Sequence, residues 1–152
     1  MITLDERNIC LGLKADDRDD CIRKICAVMA ENGYVGADYA DAVIARENDY
    51  PTGVPTEGVI VAIPHSNKGE VFRTGVGVAV LASPVGFYNM VDPDSLLMAE
   101  LVFVLANYDP GKQLDDLSAL MGCFSDAEIL KKFRNVNTAA ELVTLFEQFE
   151  PE

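Results

Sequence analysis

The feature that most constrains the fold is a short apolar run at residues 59–63, which ends at Pro64 and is followed by His65, the only histidine. An uncharged run of this kind is most easily buried on both faces, as in the centre of an α/β sheet. Pro64 has a fixed φ and biases Ile63 toward extended geometry, so the backbone that orients His65 has little freedom. The run therefore predicts a buried strand with a histidine at the sheet edge, where chemistry gathers in such folds.

His65 has two interpretations on the residues alone. An imidazole held at a strand end can act as a nucleophile or as a proton carrier. It can equally be a half-buried histidine that completes a hydrogen bond. One histidine beside one proline is a weak signal, so both interpretations stay open at this point.

Composition narrows the class of protein. A chain of 152 residues, 49% of them hydrophobic, fits a single domain over 1–152 with a sizeable core. The net charge of -13 repels phosphate backbones and no basic cluster offsets it, so we expect no nucleic-acid partner and favour a basic protein. No stretch is suited to membrane insertion and no signal segment opens the chain, so a cytoplasmic location is expected.

The four cysteines are expected to be reduced and mostly buried thiols. They form no C-x-x-C pair, and a single histidine cannot complete the usual multi-histidine zinc patterns. No metal site is therefore predicted. The cysteines are Cys10, Cys21, Cys26 and Cys123.

Strands are predicted where short apolar runs are bounded by turn residues. Besides the central run, 75–82 and 101–105 have this pattern, and 8–13 is a shorter candidate. We expect 83–95 to be a short edge strand followed by a connection. The link between 59–63 and 75–82 is too short for a helical crossover, so these two strands should be antiparallel if they are adjacent.

Two helices are predicted before the central strand. The first has Asp16 as its N-cap and ends at Gly33. The second covers about 38–49 and ends before Pro51. It places Arg46 near its C-terminus, where a cation is favourable against the helix macrodipole, so Arg46 taken alone is interpreted as structural.

The last third of the chain is predicted to be helical. A leucine stripe over 114–121 ends at Gly122, and the capping boxes Ser125-x-x-Glu128 and Thr138-x-x-Glu141 open two further helices. Helices before and after the strands predict an α/β fold: a single-domain sandwich with a mixed sheet of about four or five strands flanked by helices.

Three blocks occur in a characteristic order: 42–47 (Ala-Val-Ile-Ala-Arg-Glu), 50–53 (Tyr-Pro-Thr-Gly) and 61–65 (Val-Ala-Ile-Pro-His), followed by the leucine-rich 114–120. Together they resemble the type 2 EIIA domains of the bacterial phosphoenolpyruvate-dependent sugar phosphotransferase system, the mannitol–fructose superfamily. The resemblance implies that His65 takes a phosphoryl group from the phosphocarrier protein HPr and passes it to a cysteine of the EIIB component. It also makes Arg46 an active-site arginine, which replaces the structural interpretation.

One position departs from the mannitol and fructose types. They carry a second histidine just before the leucine-rich helix, where this chain has Gln113. A Gln-Leu pair at this place resembles the galactitol-type branch, which implies galactitol as the sugar. Nitrogen-regulatory EIIA proteins are relatives that do not serve sugar uptake, so a regulatory module whose phosphorylation state controls partner binding is the alternative function.

Phosphoryl relay would depend on positioning and charge stabilisation more than on covalent chemistry from the protein. Arg46 is expected to offer a fork of donors to the phosphoryl oxygens, and Gln113 a neutral donor. Backbone N–H groups of the Thr52-Gly53 turn are expected to add further donors. This mechanism calls for no metal and no other cofactor.

Overall fold

The computed structural model describes residues 2–149, which form a five-stranded mixed sheet with helices on both faces. The strands are β1 (Ile9–Leu13), β2 (Gly53–Val54), β3 (Val61–Ala62), β4 (Gly75–Tyr88) and β5 (Leu96–Ala106). The helices are α1 (Arg18–Glu31), α2 (Tyr39–Asp49), α3 (Gln113–Phe124), α4 (Ala127–Arg134) and α5 (Ala139–Gln148). The predicted α/β sandwich is confirmed, while the other four residues of the predicted domain 1–152 lie outside the described range.

The sheet has the order β1-β4-β5-β3-β2. β1 pairs with β4, and β3 with β5, in parallel, whereas the pairs β4–β5 and β2–β3 are antiparallel. β5 thus lies between β3 and β4, so the two strands expected to be antiparallel if adjacent are not neighbours. The mixed sheet itself is as predicted.

Side chains of β5 alternate between two core layers, because successive residues of a strand point to opposite faces. Val102 and Val104 pack in the layer formed with α1 and α2. Phe103 packs in the opposite layer, with ring centroids 4.9 Å from Phe124 of α3 and 6.1 Å from Phe133 of α4. The strand predicted at 101–105 is therefore buried on both faces, as its uncharged sequence indicated.

The central run forms a shorter strand than predicted. The carbonyl of Ile60 accepts hydrogen bonds from the N–H groups of Glu100 and Leu101, at 2.9 and 3.3 Å. At the other end of the run, Pro64 has no N–H to donate. Regular strand pairing is therefore limited to the two residues of β3. The residues of β3 are nevertheless fully buried, as expected.

The break predicted after residue 82 is wrong, because β4 continues from 75–82 into the segment 83–95. The register between β4 and β5 shifts between Val80 and Val85. Such an irregularity accommodates Pro84, which is exposed and cannot donate to a ladder. One long strand therefore replaces the expected strand and separate edge strand.

Two predicted N-caps are displaced by one residue. Asp17, not Asp16, caps α1, and Asp126, not Ser125, caps α4, in each case by accepting a hydrogen bond from a first-turn N–H group. Both members of each pair have N-cap chemistry, so the sequence pattern does not select between them. Thr138 caps α5 as predicted.

Two glycines predicted to end helices behave differently. Gly33 ends the first helix with a φ of 82°, and the N–H groups after the helix donate back to carbonyls of the last turn in a Schellman motif. Gly122 does not end α3, which continues to Phe124. Within residues 2–149, none of the helices is long and apolar enough to cross a membrane.

Gly77 provides a test of how closely α1 packs on β4. A Cβ at Gly77 would lie 2.5 Å from Cγ2 of Ile25 and 2.7 Å from Sδ of Met29. Gly77→Ala should lower the free energy of unfolding by about 1–3 kcal/mol, because α1 must move. The control Gly122→Ala, whose methyl meets no atom within 4 Å, should raise it by about 0.5–1 kcal/mol. Urea unfolding measures both, and a neutral Gly77→Ala would contradict the close packing.

Candidate functional site

His65 lies just beyond β3, where β5 runs parallel beside it. Val61 pairs with Leu101 at the start of β3, and His65 bridges to Leu105 in the same register. Pro64 lacks an N–H, but this does not shift the register. Its carbonyl accepts a hydrogen bond from the Leu105 N–H at 3.1 Å. The sheet therefore fixes the backbone of His65 at the carboxyl ends of two parallel strands, where α/β proteins place ligand sites.

The His65 imidazole is buried, with 8% of the residue exposed, and its Nδ1 lies 2.9 Å from the carbonyl oxygen of Ile63. A carbonyl only accepts hydrogen bonds, so in the neutral ring Nδ1 carries the proton and Nε2 keeps its lone pair. Burial lowers the pKa of His65; the bond to Ile63 opposes this and the charge of Arg46 adds to it. The ring is thus a neutral imidazole near neutral pH, which is the nucleophilic form.

Arg46 lies in the last turn of α2, close enough for its charge to act on the pKa of His65. Its guanidinium carbon lies 4.7 Å from the centroid of the exposed Tyr50 ring. Its Nε is buried without a hydrogen-bond partner, and no ion pair of the described residues includes Arg46. A buried donor without a partner is unfavourable, so this guanidinium is chemically suited to receive an anionic group.

Thr52 is held by Glu47, a buried residue of α2. The Thr52 N–H donates to Oε2 of Glu47 at 2.8 Å, and its hydroxyl donates to Oε1 at 2.7 Å. Its carbonyl accepts a hydrogen bond from the Ile63 N–H at 3.2 Å. The N–H of Thr52 is thus engaged within the protein.

Gly53, the first residue of β2, packs against the end of β4. A Cβ at Gly53 would lie 2.6 Å from the carbonyl oxygen of Tyr88, so the position has no room for a larger residue. Its carbonyl accepts a hydrogen bond from the Met90 N–H at 2.8 Å. The expected donation from the Thr52 N–H to a phosphoryl group is not met, because Glu47 already accepts this N–H, whereas the part of Gly53 in phosphate binding stays a prediction.

Glu47 is a site residue that the sequence analysis did not single out. The signal was present in the helical spacing. The apolar stripe of α2 consists of Ala40, Val43 and Ile44, and Glu47 continues it at the next i+3 position. An acidic residue on a buried stripe indicates a specific partner inside the protein.

Tyr39, a second residue that sequence reasoning missed, lies at the other end of α2. Its buried hydroxyl donates to the carbonyl of Leu105 at 2.7 Å and accepts a hydrogen bond from the Ser66 N–H at 3.3 Å. Ser66 directly follows His65. One helix therefore contacts the chain after His65 through Tyr39, and the residue just before β2 through Glu47.

Gln113 is the first residue of α3 and follows a short 3-10 helix, Pro110–Lys112. It lines a polar cleft of about 110 Å³ together with Ser66, Asn107 and Tyr108. Because Ser66 follows His65, the cleft places Gln113 beside the loop that carries the imidazole. His65, Arg46 and Gln113 thus gather at one end of the sheet.

The cysteines offer a weaker nucleophile than this imidazole. Cys21, Cys26 and Cys123 are buried, which raises the pKa of each thiol to about 12 and makes the thiolate rare at neutral pH. Cys10 is half-buried, and burial raises its pKa as well. Residues 2–149 contain no cluster of three His, Cys, Asp or Glu side chains arranged to hold a metal ion.

The fold is that of known phosphotransferase-system IIA proteins. The chain is similar, with a TM-score of 0.79 and 24% identity over 98% of this chain and all (100%) of the other, to the structure of enzyme IIAMtl in complex with phosphorylated enzyme IIBMtl from Escherichia coli. It is also similar to the nitrogen regulatory protein IIA-Ntr from Neisseria meningitidis, with a TM-score of 0.77 and 25% identity over 94% and 95% of the two chains.

Sequence comparison agrees with the fold. The family model "Phosphoenolpyruvate-dependent sugar phosphotransferase system, EIIA 2" matches residues 2–149. The chain therefore belongs to this EIIA family, and the resemblance inferred from three sequence blocks is confirmed. Among curated proteins, it is 29% identical over 120 residues, 79% of each chain, to the galactitol-specific EIIA component of Escherichia coli K12.

The burial of His65 generates a prediction about its titration. The pKa should lie below 6.5, the ordinary value for this side chain. Because the pKa is lowered by folding, the neutral ring contributes stability that is present above the ordinary value and lost as pH falls through the folded pKa. NMR titration of the ring measures this without overlap, since the chain has one histidine. The urea-unfolded protein is the control, and a folded pKa equal to or above the unfolded value would contradict the analysis.

Proposed function

We propose that the protein is a phosphocarrier that accepts a phosphoryl group from HPr on Nε2 of His65 and passes it to a cysteine of EIIB during sugar uptake. The observation that carries this proposal is the neutral, buried imidazole of an EIIA-family chain, with Nδ1 bonded to Ile63 and Nε2 left with its lone pair. The Nε2 lone pair attacks phosphorus, and the bond from phosphorus to the donor breaks as the N–P bond forms. The Nδ1 proton stays on the ring throughout.

The Ile63 carbonyl has a defined role in this step. It selects the tautomer with Nε2 unprotonated before the transfer, and it accepts from Nδ1–H as positive charge develops on the ring. In the second transfer, a thiolate of EIIB attacks phosphorus, the N–P bond breaks, and the neutral imidazole returns. Such a relay needs in-line positioning and few covalent groups from the protein.

Arg46 and Gln113 are the proposed ligands of the phosphoryl oxygens. The unpartnered Nε of Arg46 and the planar fork beside it are suited to an anionic group with several oxygens. Gln113 adds a neutral amide at the N-terminus of α3, where anions are favoured. Thr52 supports the site through its carbonyl.

The partner surface follows from charge and exposure. Exposed Tyr50, Tyr108 and Leu114 belong to the segments that hold Arg46 and Gln113, so apolar contact area surrounds the proposed transfer site. The net charge of -13 would steer a basic donor toward this protein. The similar enzyme IIAMtl was determined in a complex with phosphorylated enzyme IIBMtl, which supports EIIB as the acceptor. We place both exchanges in the cytoplasm.

The proposed sugar and the alternative regulatory role are both inferred from the similar proteins. The similarity to galactitol-specific EIIA, together with Gln113 in place of a second histidine, favours galactitol. The similarity to nitrogen regulatory IIA-Ntr supports a second candidate, a regulatory module that binds partners according to its phosphorylation state. Transfer from the phosphorylated protein to a galactitol-type EIIB favours the first function, whereas stable phosphorylation without such transfer favours the second.

The phosphoacceptor is tested by incubation with phosphoenolpyruvate, enzyme I and HPr. Intact-mass analysis should show one phosphoryl adduct that is lost in acid and retained in base, because a phosphoramidate is acid-labile. His65→Ala should show none. An adduct that persists in His65→Ala, or a parent protein that takes up no phosphoryl group from HPr, would overturn the proposed function.

Arg46→Lys tests the arginine, since it keeps the charge and loses the planar fork. Transfer from phosphorylated HPr should slow on the order of 10- to 100-fold, as expected for one lost hydrogen bond to a charged group at about 1.5–3 kcal/mol. The melting temperature should stay near that of the parent. The control is Arg23→Lys, whose side chain is exposed and pairs with Asp41 at 2.9 Å. Normal transfer combined with a large loss of stability would make Arg46 a structural residue.

A further inference from the structure

A chain of hydrogen bonds leads from α2 to the candidate nucleophile. It begins at the carboxylate of Glu47, which accepts both the N–H and the hydroxyl of Thr52. The Thr52 carbonyl accepts the N–H of Ile63, and the Ile63 carbonyl accepts Nδ1–H of His65. The exposed fractions along this path are 2% for Glu47, 3% for Thr52, 1% for Ile63 and 8% for His65.

Glu47 is an unusual residue at such a place. Acidic side chains are almost never fully buried unless they are paired, and none of the ion pairs within residues 2–149 includes Glu47. Within the part of the chain that the structure describes, its hydrogen-bond donors come from Thr52 alone. The Glu47 carboxylate therefore fixes a single residue, Thr52, of the neighbouring segment.

Thr52 needs this anchor because the local sheet is short. β2 and β3 pair over two residues each, Gly53 with Ala62 and Val54 with Val61. At the next position Ile63 donates to Thr52, while the Thr52 N–H leaves the ladder and bonds to Glu47. Without Glu47, Thr52 itself would keep only the hydrogen bond from Ile63, although the next residue, Gly53, is still bonded to Met90.

We propose that Glu47 is a positioning residue for phosphoryl transfer: through Thr52 and Ile63 it fixes the carbonyl that orients the His65 ring and selects its Nδ1–H tautomer. The effect on transfer rests on the proposed function, whereas the effect on the ring does not. Reacting groups need placement to within a fraction of an ångström, so a loosened Ile63 carbonyl would misplace Nε2 as well as allow the wrong tautomer.

The experiment compares Glu47→Ala with Glu47→Gln. The glutamine can keep both contacts, since its amide oxygen accepts the Thr52 N–H and its amide nitrogen donates to the hydroxyl oxygen. Leu142→Ala is the control for lost stability, because Leu142 is fully buried in α5, which packs near β1 at the opposite edge of the sheet from β2. Ring nitrogen chemical shifts above the pKa of His65 report the tautomer, and a single-turnover assay with phosphorylated HPr reports the rate.

The parent and Leu142→Ala should show the Nδ1–H tautomer. Glu47→Ala should show a mixture of tautomers and slow the transfer on the order of 10- to 100-fold, while Glu47→Gln restores most of both. A folded Glu47→Ala protein with the parent's ring shifts would overturn the proposal. A parent that accepts no phosphoryl group would instead refute the proposed function, and the ring shifts would still decide the role of Glu47.

A second pair of variants covers the case in which Glu47→Ala does not fold. Thr52→Val removes the hydroxyl bond and keeps the N–H, so it should give a smaller change in the same direction. Thr52→Ser restores the hydroxyl and should return the ring shifts to those of the parent. Parent-like shifts in folded Thr52→Val would then overturn the proposal.

Discussion

The site depends on the parallel pairing of β3 with β5. Val61 and His65 face Leu101 and Leu105 in one register, and Pro64 lies between them without shifting it. β5 is the central strand of the sheet and is buried on both faces, so it belongs to the most rigid part of the fold. The backbone of His65 is therefore held rigidly, and this limits the movement of the imidazole. Pro64 has no N–H, so one hydrogen bond of the ladder is absent at this point.

Two consecutive residues of α2, Arg46 and Glu47, contribute to the site and point in different directions. Successive residues of a helix lie about 100° apart, so Arg46 can remain available to an anion while Glu47 is buried. Tyr39, two turns earlier, fixes the loop after His65 through Ser66. The same helix therefore supplies the Arg46 guanidinium, whose Nε is buried without a partner, and the buried contacts that hold the surrounding backbone in place.

The elements with a clear physical pattern were predicted well. The uncharged run of β5, the end of α2 before Pro51 and the glycine that ends α1 each follow from burial or backbone geometry that a few residues specify. Errors arose where neighbouring residues have the same chemistry, as at Asp16 and Asp17, or where a partner strand overrides a local break signal. Pro84 illustrates the second case, since β4 continues past it because β5 remains its neighbour.

The sequence by itself determined most of the helices and the cores of the strands, because apolar spacing and turn residues carry that information, while the resemblance to one family indicated the candidate residues His65, Arg46 and Gln113. Tertiary structure alone decided which strands are neighbours, which nitrogen of His65 is free, and why Glu47 is buried. These depend on contacts between residues far apart in the chain, such as Ile63 with Thr52 and His65 with Leu105. Local patterns do not encode such contacts, since they arise only when strand order brings distant backbone groups within hydrogen-bond distance.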